Sequence, residues 1–545
     1  MEKQTSAQRP KRSAQEQMLR GSAWMTAGSI FSRILGAIYI VPWRIWMGAA
    51  FLTANALFTK GYQIYSVFLI IGTAGIPSAI SKQVAHYNAM NEYKTGLRLF
   101  FNGLLLMAGM GLLSCGVLWF LAPILAVHDP ALTQIFRSLA WPLLLIPILS
   151  ILRGFFQGYN EMAPSAISQF IEQVARIIYM LLMTFIIMRL GSGNYVDAVS
   201  QSTFAAFVGA VFGLGLLAVY FLRQRQRFVE LAETSDDNLK ISIPEILLDI
   251  IKQAVPFIIL DSAINLYYIV DQYTFNPMMH VRYAVSEHRL DEIYALFAGN
   301  ANKLIMIVVS LAVAMAVTAL PLLAAAATRD DKHEVAAQIT NTLQLFYVVM
   351  IPAAVGMAAI AKPLYVLFYG YDELGVRMLE LSSFLAILLG LFTVLATLLQ
   401  GMFRNRLAIA EMAVGFAVKI VLQWLMIYFF NVYGPTISSM IGMIVTSLLM
   451  LHTLRVDYHY KARQTMRRLL GICGFSALMF VVVRGIALLM GLFLGTQRAL
   501  PAILTIVVAV PLGVLVYGYA ILKTRLADMI VGSRVAGIRR RLHMR

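Results

Sequence analysis

The chain has 545 residues, of which 60% are hydrophobic and only 13% are charged. A soluble domain carries about 25% charged residues, so water is not the main solvent of this protein. The net charge of +17 does not indicate nucleic-acid binding, because the basic residues lie in short clusters between long apolar segments. Only Cys115 and Cys473 occur, both inside apolar segments, which excludes a disulfide framework and a CxxC metal or redox motif.

Apolar stretches of about 20 residues, each long enough to cross a bilayer, recur along the whole chain. The first, residues 21–47, is too long for a signal-peptide core and has no obvious small-residue cleavage site, so we expect it to be retained. Six stretches precede a polar, amphipathic segment and eight follow it. The fourteen predicted spans are residues 21–47, 57–80, 97–121, 135–151, 166–188, 197–222, 255–277, 302–327, 343–361, 379–399, 408–430, 436–454, 469–493 and 501–522.

The distribution of Lys and Arg predicts the orientation of these spans, since positively charged loops are retained in the cytoplasm. With the N-terminus inside, thirty basic residues fall in inner segments and seven in outer loops. We therefore expect a multi-pass plasma-membrane protein with both termini cytoplasmic. The basic C-terminal tail is also expected to attract anionic membrane lipids.

An internal repeat appears when the chain is shifted on itself by about 243 residues. Pro77 then aligns with Pro321, Gln157-Gly158 with Gln400-Gly401, and mid-helix Arg176 with Lys419. Each lobe would hold six helices, an even number, so the repeat predicts a pseudo-twofold axis along the membrane normal.

These patterns predict an all-α polytopic membrane protein of two six-helix lobes plus two C-terminal helices. The predicted segments are a cytoplasmic basic tail (1–20), an N-terminal lobe (21–222), a cytoplasmic amphipathic linker (223–254), a C-terminal lobe (255–454), helices 13 and 14 (455–522) and a second cytoplasmic basic tail (523–545).

No motor or catalytic motif accompanies the spans. The sequence has no G-x-x-x-x-G-K-[ST] phosphate loop, no soluble stretch long enough for an ATPase domain and no H-E-x-x-H, and its eight histidines are scattered. These features favour a secondary transporter rather than an enzyme, with no cofactor and no metal.

Ionisable residues inside the spans are the only candidates for a site, because a charge at the bilayer centre costs about 2.5–3.5 kcal/mol on insertion scales. Arg33 lies near the middle of helix 1, Arg44 nearer its outer end between two tryptophans, and Lys60 near the outer end of helix 2. Each of the three could bind substrate, and each has one alternative role. For Arg33 the alternative is a buried structural ion pair, for Arg44 anchoring of the helix at the membrane interface, and for Lys60 snorkelling to the surface.

Two further groups of polar residues lie in helices 5 and 7. Glu172 and Arg176 are four residues apart and able to neutralise each other, whereas Lys419 has Gly415 in place of the acid. Asp261 and Asn265 share one stripe of helix 7, with Asp271 about 80° away. Such acids are candidates for binding Na⁺ or H⁺. The alternative is that they form ion pairs with cations of the lobe. A cation-lined cavity, in contrast, suits an anionic phosphate, which arginine binds well.

Several motifs resemble one transporter family. Phe31-Ser32-Arg33-Ile34-Leu35-Gly36, the segment 74–82 and Arg153-Gly154-Phe155-Phe156-Gln157-Gly158-Tyr159, followed by Pro164, Gln169, Glu172 and Arg176, resemble the polysaccharide-transporter branch of the MOP (multidrug/oligosaccharidyl-lipid/polysaccharide) exporter superfamily. Within this branch the chain is most similar to the group of stage V sporulation protein B and the Gram-positive lipid II flippases.

That resemblance implies a V-shaped cavity between two lobes for the pyrophosphate and sugars of an undecaprenyl-linked precursor, with helices 13 and 14 forming a groove for the lipid tail. The family's helix 1 arginine corresponds to Arg33. A second helix 1 arginine has no match, since Ile38 and Tyr39 stand nearby, and the helix 8 arginine has no counterpart within 304–320.

The first expectation is therefore a lipid II flippase of peptidoglycan synthesis, working as a monomer by alternating access. The alternatives are an exporter of another lipid-linked oligosaccharide, a cation-coupled drug exporter, and a scaffold for cell-wall synthesis or division proteins. We expect the membrane potential to drive transport, with a Na⁺ or H⁺ gradient contributing if Asp261 or Asp271 binds an ion.

Overall fold

The computed structural model describes residues 36, 38–73, 75–159, 161–236, 242–329, 331–495 and 497–531. Helices and short connections make up these segments, and no strand occurs among them. Arg33 and most of the predicted first span lie outside the described residues.

Nineteen helices are named here in chain order. In the first half they are α1 (Ile40–Met47), α2 (Phe51–Thr73), α3 (Ile76–Ala89), α4 (Tyr93–Leu125), α5 (Pro130–Gly158), α6 (Met162–Phe185), α7 (Tyr195–Arg223), α8 (Arg225–Glu233) and α9 (Ile243–His280). In the second half they are α10 (Glu287–Tyr294), α11 (Asn302–Thr328), α12 (Lys332–Ala359), α13 (Ala361–Tyr369), α14 (Glu373–Gly401), α15 (Asn405–Phe430), α16 (Gly434–Tyr458), α17 (Ala462–Leu494), α18 (Ala499–Lys523) and α19 (Leu526–Val531).

Ten helical stretches of the described chain are long and apolar enough to cross a membrane. They coincide with the predicted spans between residues 97 and 222 and between residues 302 and 522. The ten are Tyr93–Leu125, Pro130–Gly158, Met162–Leu190, Tyr195–Arg223, Glu287–Leu320, Lys332–Ala359, Glu373–Gly401, Asn405–Tyr458, Ala462–Leu494 and Ala499–Lys523.

The predicted span 57–80 is interrupted in the structure. α2 ends at Thr73 and α3 begins at Ile76. Between them Gly75 adopts φ +71°, a left-handed conformation that glycine reaches without steric cost. A proline in the first turn of α3 suits a helix start, where its missing N–H is not needed. The predicted span 255–277, by contrast, lies inside the continuous helix α9.

Side-chain caps explain where several helices begin. Asp129 accepts a hydrogen bond from the backbone N–H of Ala131 at the start of α5, and Asn194 does the same for Val196 at the start of α7. Equivalent caps are formed by Ser286, Asp331 and Asp372. Each satisfies a backbone N–H that has no partner inside the helix.

Large apolar side chains cover much of the outer surface. Phe120 is 80% exposed and Phe493 is 83% exposed, and many leucines and valines on the same helices are similarly uncovered. Water-soluble proteins rarely leave contiguous apolar patches of this kind, whereas hydrocarbon solvates them. The protein is therefore a multi-pass membrane protein.

The described helices form two compact units. Among the described residues, the first unit contains Phe68–Val255 and those before Ile40; within it α6 packs on α7, and α5 packs on both α4 and α7. The second unit contains Ile40–Val67 and the described residues from Pro256 onward; within it α15 packs on α16, α14 on α11, and α17 on α12 and α18. The predicted lobe boundaries and their symmetry stay predictions.

Candidate functional site

Three groups of polar residues lie among the apolar helices, two in the second unit and one in the first. Eight of the nine residues that the sequence singles out belong to the described chain, and the ninth, Arg33, lies outside it. A polar group buried away from water is costly unless it is hydrogen-bonded, so the partners of each residue indicate its role.

The first group connects Lys60 of α2 with the region that precedes α11. Lys60 Nζ lies 2.6 Å from Asp291 Oδ1, and both side chains are mostly buried. Asn276 of α9 donates a second hydrogen bond to the same oxygen, at 2.7 Å. The Lys60 ammonium also lies 5.8 Å from the centre of the Tyr294 ring. Lys60 is therefore neutralised within the protein rather than snorkelling to the surface.

Next to this ion pair lies a hydrogen-bonded chain that we call the Asn55 network, formed by Asn55, Asn300, Lys303 and Tyr365. Asn55 Nδ2 donates to Asn300 Oδ1 at 2.7 Å, and Asn300 Nδ2 donates to the Tyr365 hydroxyl at 2.8 Å. Lys303 Nζ donates to Asn55 Oδ1 at 2.8 Å and lies 4.8 Å from the centre of the Phe58 ring. All partners of the Lys303 ammonium are thus neutral.

A glycine makes the Asn55 network possible. Gly299 lies in the π-helical turn Ala295–Ala301, and a Cβ added there would lie 2.7 Å from Asn55 Nδ2 and 2.9 Å from Thr59 Oγ1. Any side chain at Gly299 would push Asn55 away from Asn300. π-helical turns are often found at functional positions, so the turn itself supports a role for this region.

Arg44 of α1 extends toward the loop after α13. A Cβ added at Gly370 would lie 2.3 Å from Arg44 Nη1, and Gly370 adopts φ +79°, so no other residue fits this position well. The Arg44 Nε atom is buried without a hydrogen-bond partner. Within the described chain, neither Arg44 nor Lys303 forms an ion pair with a carboxylate.

The second group, the Lys419 network, is formed by Asp271 of α9, Lys419 and Gln423 of α15, and Ser438 and Ser439 of α16. The Lys419 side chain is 0% exposed and that of Asp271 is 2% exposed, and Lys419 Nζ lies 2.8 Å from Asp271 Oδ1. Lys419 Nζ also donates to Ser439 Oγ at 2.7 Å and to Gln423 Oε1 at 3.4 Å. The acid missing four residues before Lys419 is therefore supplied by another helix.

Close contact between α15 and α16 holds the Lys419 network together. A Cβ added at Gly415 would lie 2.4 Å from the Gly442 carbonyl oxygen, and one added at Gly442 would lie 2.7 Å from the Gly415 carbonyl oxygen. Both glycines therefore let the two backbones touch. Lys419 lies one turn after Gly415 and Ser439 one turn before Gly442, so this contact brings the two side chains together.

The other two candidates in α9 do not join this network. Asp261 lies ten residues before Asp271, a rise of about 15 Å along the helix. Neither Asp261 nor Asn265 forms a hydrogen bond or ion pair with any residue of the described chain. The structure therefore separates Asp271 from the stripe that contains Asp261 and Asn265. Their role as coupling residues stays a prediction.

The third group lies in the first unit and contains the Arg153–Tyr159 motif at the end of α5. Arg153 lies 2.6 Å from Glu172 Oε2 of α6 and donates to Ser168 Oγ at 2.9 Å, and Gln157 donates to Ser165 Oγ at 2.9 Å. The structure thus gives Glu172 a partner on the neighbouring helix, and its predicted pairing with Arg176 stays a prediction. The motif joins α5 to α6.

Tyr159 and Gly158 complete this junction. The Tyr159 ring packs 4.9 Å from the Phe155 ring and 5.1 Å from the Phe228 ring, and burial raises the pKa of Tyr159 to about 12. A Cβ added at Gly158 would lie 2.7 Å from Val84 Cβ in α3. The third group is therefore a packed structural joint.

One site residue and one ion pair were not predicted from the sequence. Lys303 is not among the sequence candidates, although its position beside Asn300 and Asn302 at the start of an apolar helix is a usable signal. Arg153 is recognised only as the first residue of a motif, and its ion pair with Glu172 was not predicted. Among the described residues, no cluster of three or more His, Cys, Asp or Glu side chains is arranged to hold a metal ion.

Comparison with known proteins places this arrangement in a family. Residues 18–326 match the family model described as polysaccharide biosynthesis protein. The chain is 32% identical over 542 residues to the lipid II flippase MurJ of Bacillus subtilis (strain 168), an alignment that covers 96% of this chain and 98% of that protein.

Solved structures share the fold at lower sequence identity. A lipid II flippase MurJ in an inward closed conformation superposes with a TM-score of 0.58 at 13% identity, covering 91% of this chain and 97% of that one. An inward-facing multidrug resistance MATE family transporter of the MOP superfamily gives a TM-score of 0.59 at 14% identity, covering 78% of this chain and 98% of the other. The chain belongs to the polysaccharide biosynthesis protein family and has the fold of MOP superfamily transporters.

Proposed function

We propose that this protein flips lipid II, the lipid-linked precursor of peptidoglycan, from the inner to the outer leaflet by alternating access. The observation that carries this proposal is the 32% identity to a lipid II flippase over nearly the full length of both chains. The protein is a transporter rather than an enzyme.

The proposal includes a topology of fourteen spans in two six-helix lobes, with both termini cytoplasmic in the plasma membrane. Asn405–Tyr458 contains two successive helices, which makes eleven crossings, and α2 and α9 are long enough to add two more. The fourteenth is the predicted span 21–47, most of which lies outside the described residues. A repeated packing feature supports the two lobes. Gly158 at the end of α5 contacts Val84 of α3, and Gly401 at the end of α14 contacts Leu323 of α11.

We propose that Arg44 and Lys303 contact the pyrophosphate of the substrate. Both are cations without a carboxylate partner among the described residues. Arg44 lies near Tyr365, and Lys303 is connected to Tyr365 through Asn55 and Asn300. Arginine and lysine bind phosphate oxygens through charge-assisted hydrogen bonds. Lys60 instead holds Asp291, so its role is to position the region before α11. Arg33 remains the cation that the family resemblance assigns to the same substrate.

The driving force that we propose is the membrane potential. A lipid-linked pyrophosphate is anionic, and an inside-negative potential favours its outward movement by about 2.3 kcal/mol per elementary charge per 100 mV. Imposing a K⁺-diffusion potential on proteoliposomes is expected to accelerate flipping, and an imposed Na⁺ or H⁺ gradient alone is expected to have little effect. Flipping that ignores the potential and follows an ion gradient would contradict this.

Depletion in the host tests the substrate. Cells that lose this protein are expected to accumulate lipid II in the inner leaflet, and expression of the wild-type protein is expected to reverse the effect. Loss of a different surface polysaccharide with normal peptidoglycan would instead identify another lipid-linked oligosaccharide as substrate.

Complementation in the same cells tests the proposed phosphate contacts. Lys303→Gln, which keeps a hydrogen-bonding group but removes the charge, is expected to lower complementation at least about tenfold, since one charge-assisted hydrogen bond contributes about 1.5–3 kcal/mol. Lys362→Gln is a suitable control, because Lys362 lies over the Tyr371 ring and outside the Asn55 network. Equal activity of both variants at matched expression would remove Lys303 from the site.

A further inference from the structure

The Lys419 network surrounds one positive charge with oxygen atoms from three helices. Its ammonium contacts a carboxylate oxygen of Asp271 from α9, an amide oxygen of Gln423 from its own helix α15, and a hydroxyl oxygen of Ser439 from α16. An aromatic face lies nearby, because Lys419 Nζ is 5.5 Å from the centre of the Tyr267 ring. An ammonium has three N–H donors, and each has an acceptor here.

The ligands themselves are held in place by a second set of hydrogen bonds. Gln423 Nε2 donates to Asp271 Oδ1 at 2.8 Å and to Thr274 Oγ1 at 3.1 Å, and Ser438 Oγ donates to Gln423 Oε1 at 2.5 Å. The oxygens therefore point at the charge from fixed positions. Pre-oriented carboxylate, amide and hydroxyl oxygens are also the ligands that hard metal cations prefer.

The charge at the centre belongs to the protein and has no access to solvent. Lys419 is fully buried, and Asp271, the only carboxylate in the network, is equally enclosed. A lysine ammonium is a compact point charge, similar in sign and in its preference for oxygen to a monovalent metal ion. Removing it would leave the Asp271 carboxylate buried without a counter-charge, which is strongly unfavourable.

We propose that α9, α15 and α16 form a monovalent-cation site whose cation is the tethered ammonium of Lys419. Asp271 then binds no diffusible ion, and, given the proposed flippase function, transport is not coupled to an alkali-metal gradient through this site. The proposal also makes the converse claim that the site accepts a free alkali cation once the ammonium is removed.

Thermal unfolding of the purified, full-length protein in detergent tests both claims without requiring transport. The midpoint temperature is compared in NaCl, KCl, LiCl and N-methyl-D-glucamine chloride at equal ionic strength. A cation that binds only the folded protein raises the midpoint as its concentration rises. The variants are Lys419→Met, the double variant Asp271→Asn with Lys419→Met, and Lys252→Met as a control at an exposed lysine.

The expected result is specific to one variant. Wild-type protein, the Lys252→Met control and the double variant should have the same midpoint in all four salts, because none has an uncompensated Asp271 charge. Lys419→Met should have a lower midpoint in N-methyl-D-glucamine and recover it as one of the alkali cations is added.

Three results would overturn the proposal. The first is stabilisation of the wild-type protein by one alkali cation, and the second is an unchanged midpoint of Lys419→Met in every salt. The third is a Lys419→Met protein that does not fold in any salt although the double variant folds, since a free cation would then be unable to replace the ammonium. These midpoint temperatures do not depend on flipping. If only the proposed function were wrong, the variants would show the expected midpoints although the wild-type protein moves no lipid II.

Discussion

The contact between α15 and α16 can be tested by adding a single methyl group. In Gly415→Ala the new Cβ would lie 1.9 Å from Thr446 Oγ1 and 2.4 Å from the Gly442 carbonyl oxygen. The threonine side chain can rotate away, but the carbonyl belongs to the backbone of α16, so the two helices must separate. Separation would also lengthen the hydrogen bond from Lys419 to Ser439.

The size of the destabilisation in Gly415→Ala follows from comparison with a glycine at which an added Cβ would meet no other atom. Gly485 of α17 has no atom within 4 Å of an added Cβ, so Gly485→Ala adds only the helix propensity of alanine, a gain of about 0.8–1 kcal/mol. Gly415→Ala gains the same helix propensity but is also destabilised by overpacking, which costs about 1–3 kcal/mol. The difference between the two variants therefore equals that cost, roughly a 5-fold to 150-fold change in the unfolding equilibrium.

The assay is reversible unfolding of both variants in mixed micelles, followed by tryptophan fluorescence. Gly415→Ala is expected to unfold at a lower denaturant fraction than Gly485→Ala and to lose lipid II flipping in parallel. Equal unfolding free energies for the two variants would refute the close backbone contact and, with it, the geometry of the Lys419 network.

Two further predictions concern the structural joint and the topology. Arg153→Gln is expected to destabilise the protein by about 1.5–3 kcal/mol, because it removes the charge-assisted hydrogen bond to the mostly buried Glu172. The control Arg377→Gln removes an exposed ion pair with Glu373 and should destabilise the protein much less than Arg153→Gln; equal losses in unfolding assays would contradict the joint. Single cysteines introduced in residues 286–291 are expected to react with a membrane-impermeant thiol reagent added outside, whereas one at Ser235 should react only after permeabilisation; the reverse pattern would invert the topology.

Hydropathy predicted most of the helices because length and apolar composition are local properties of the chain. α4 to α7, α11, α12 and α14 to α18 match predicted spans closely, whereas the short helix α13 matches none. The break at Gly75 was missed, since a single glycine and proline inside an apolar run is compatible with either a kink or a helix end. Deciding between them requires the neighbouring helices.

Partners of the buried charges were harder to predict than the charges themselves. Asp271 and Lys419 were both recognised as unusual, but 148 residues separate them, and nothing in the local pattern joins them. Gly415 was noted only as a missing acid, whereas the structure makes it the contact point between α15 and α16. Pairing of this kind depends on which helices pack against each other. The spacing of residues along one helix does not contain that information.

Flipping by the purified protein in proteoliposomes measures most directly whether this protein moves lipid II across a bilayer. Fluorescent lipid II placed in one leaflet is expected to become accessible to an impermeant quencher faster than in protein-free vesicles. The rate should rise with an imposed potential and fall in Lys303→Gln. The proposed function would be contradicted if lipid II flipped no faster than in protein-free vesicles while the same protein moved a different undecaprenyl-linked oligosaccharide.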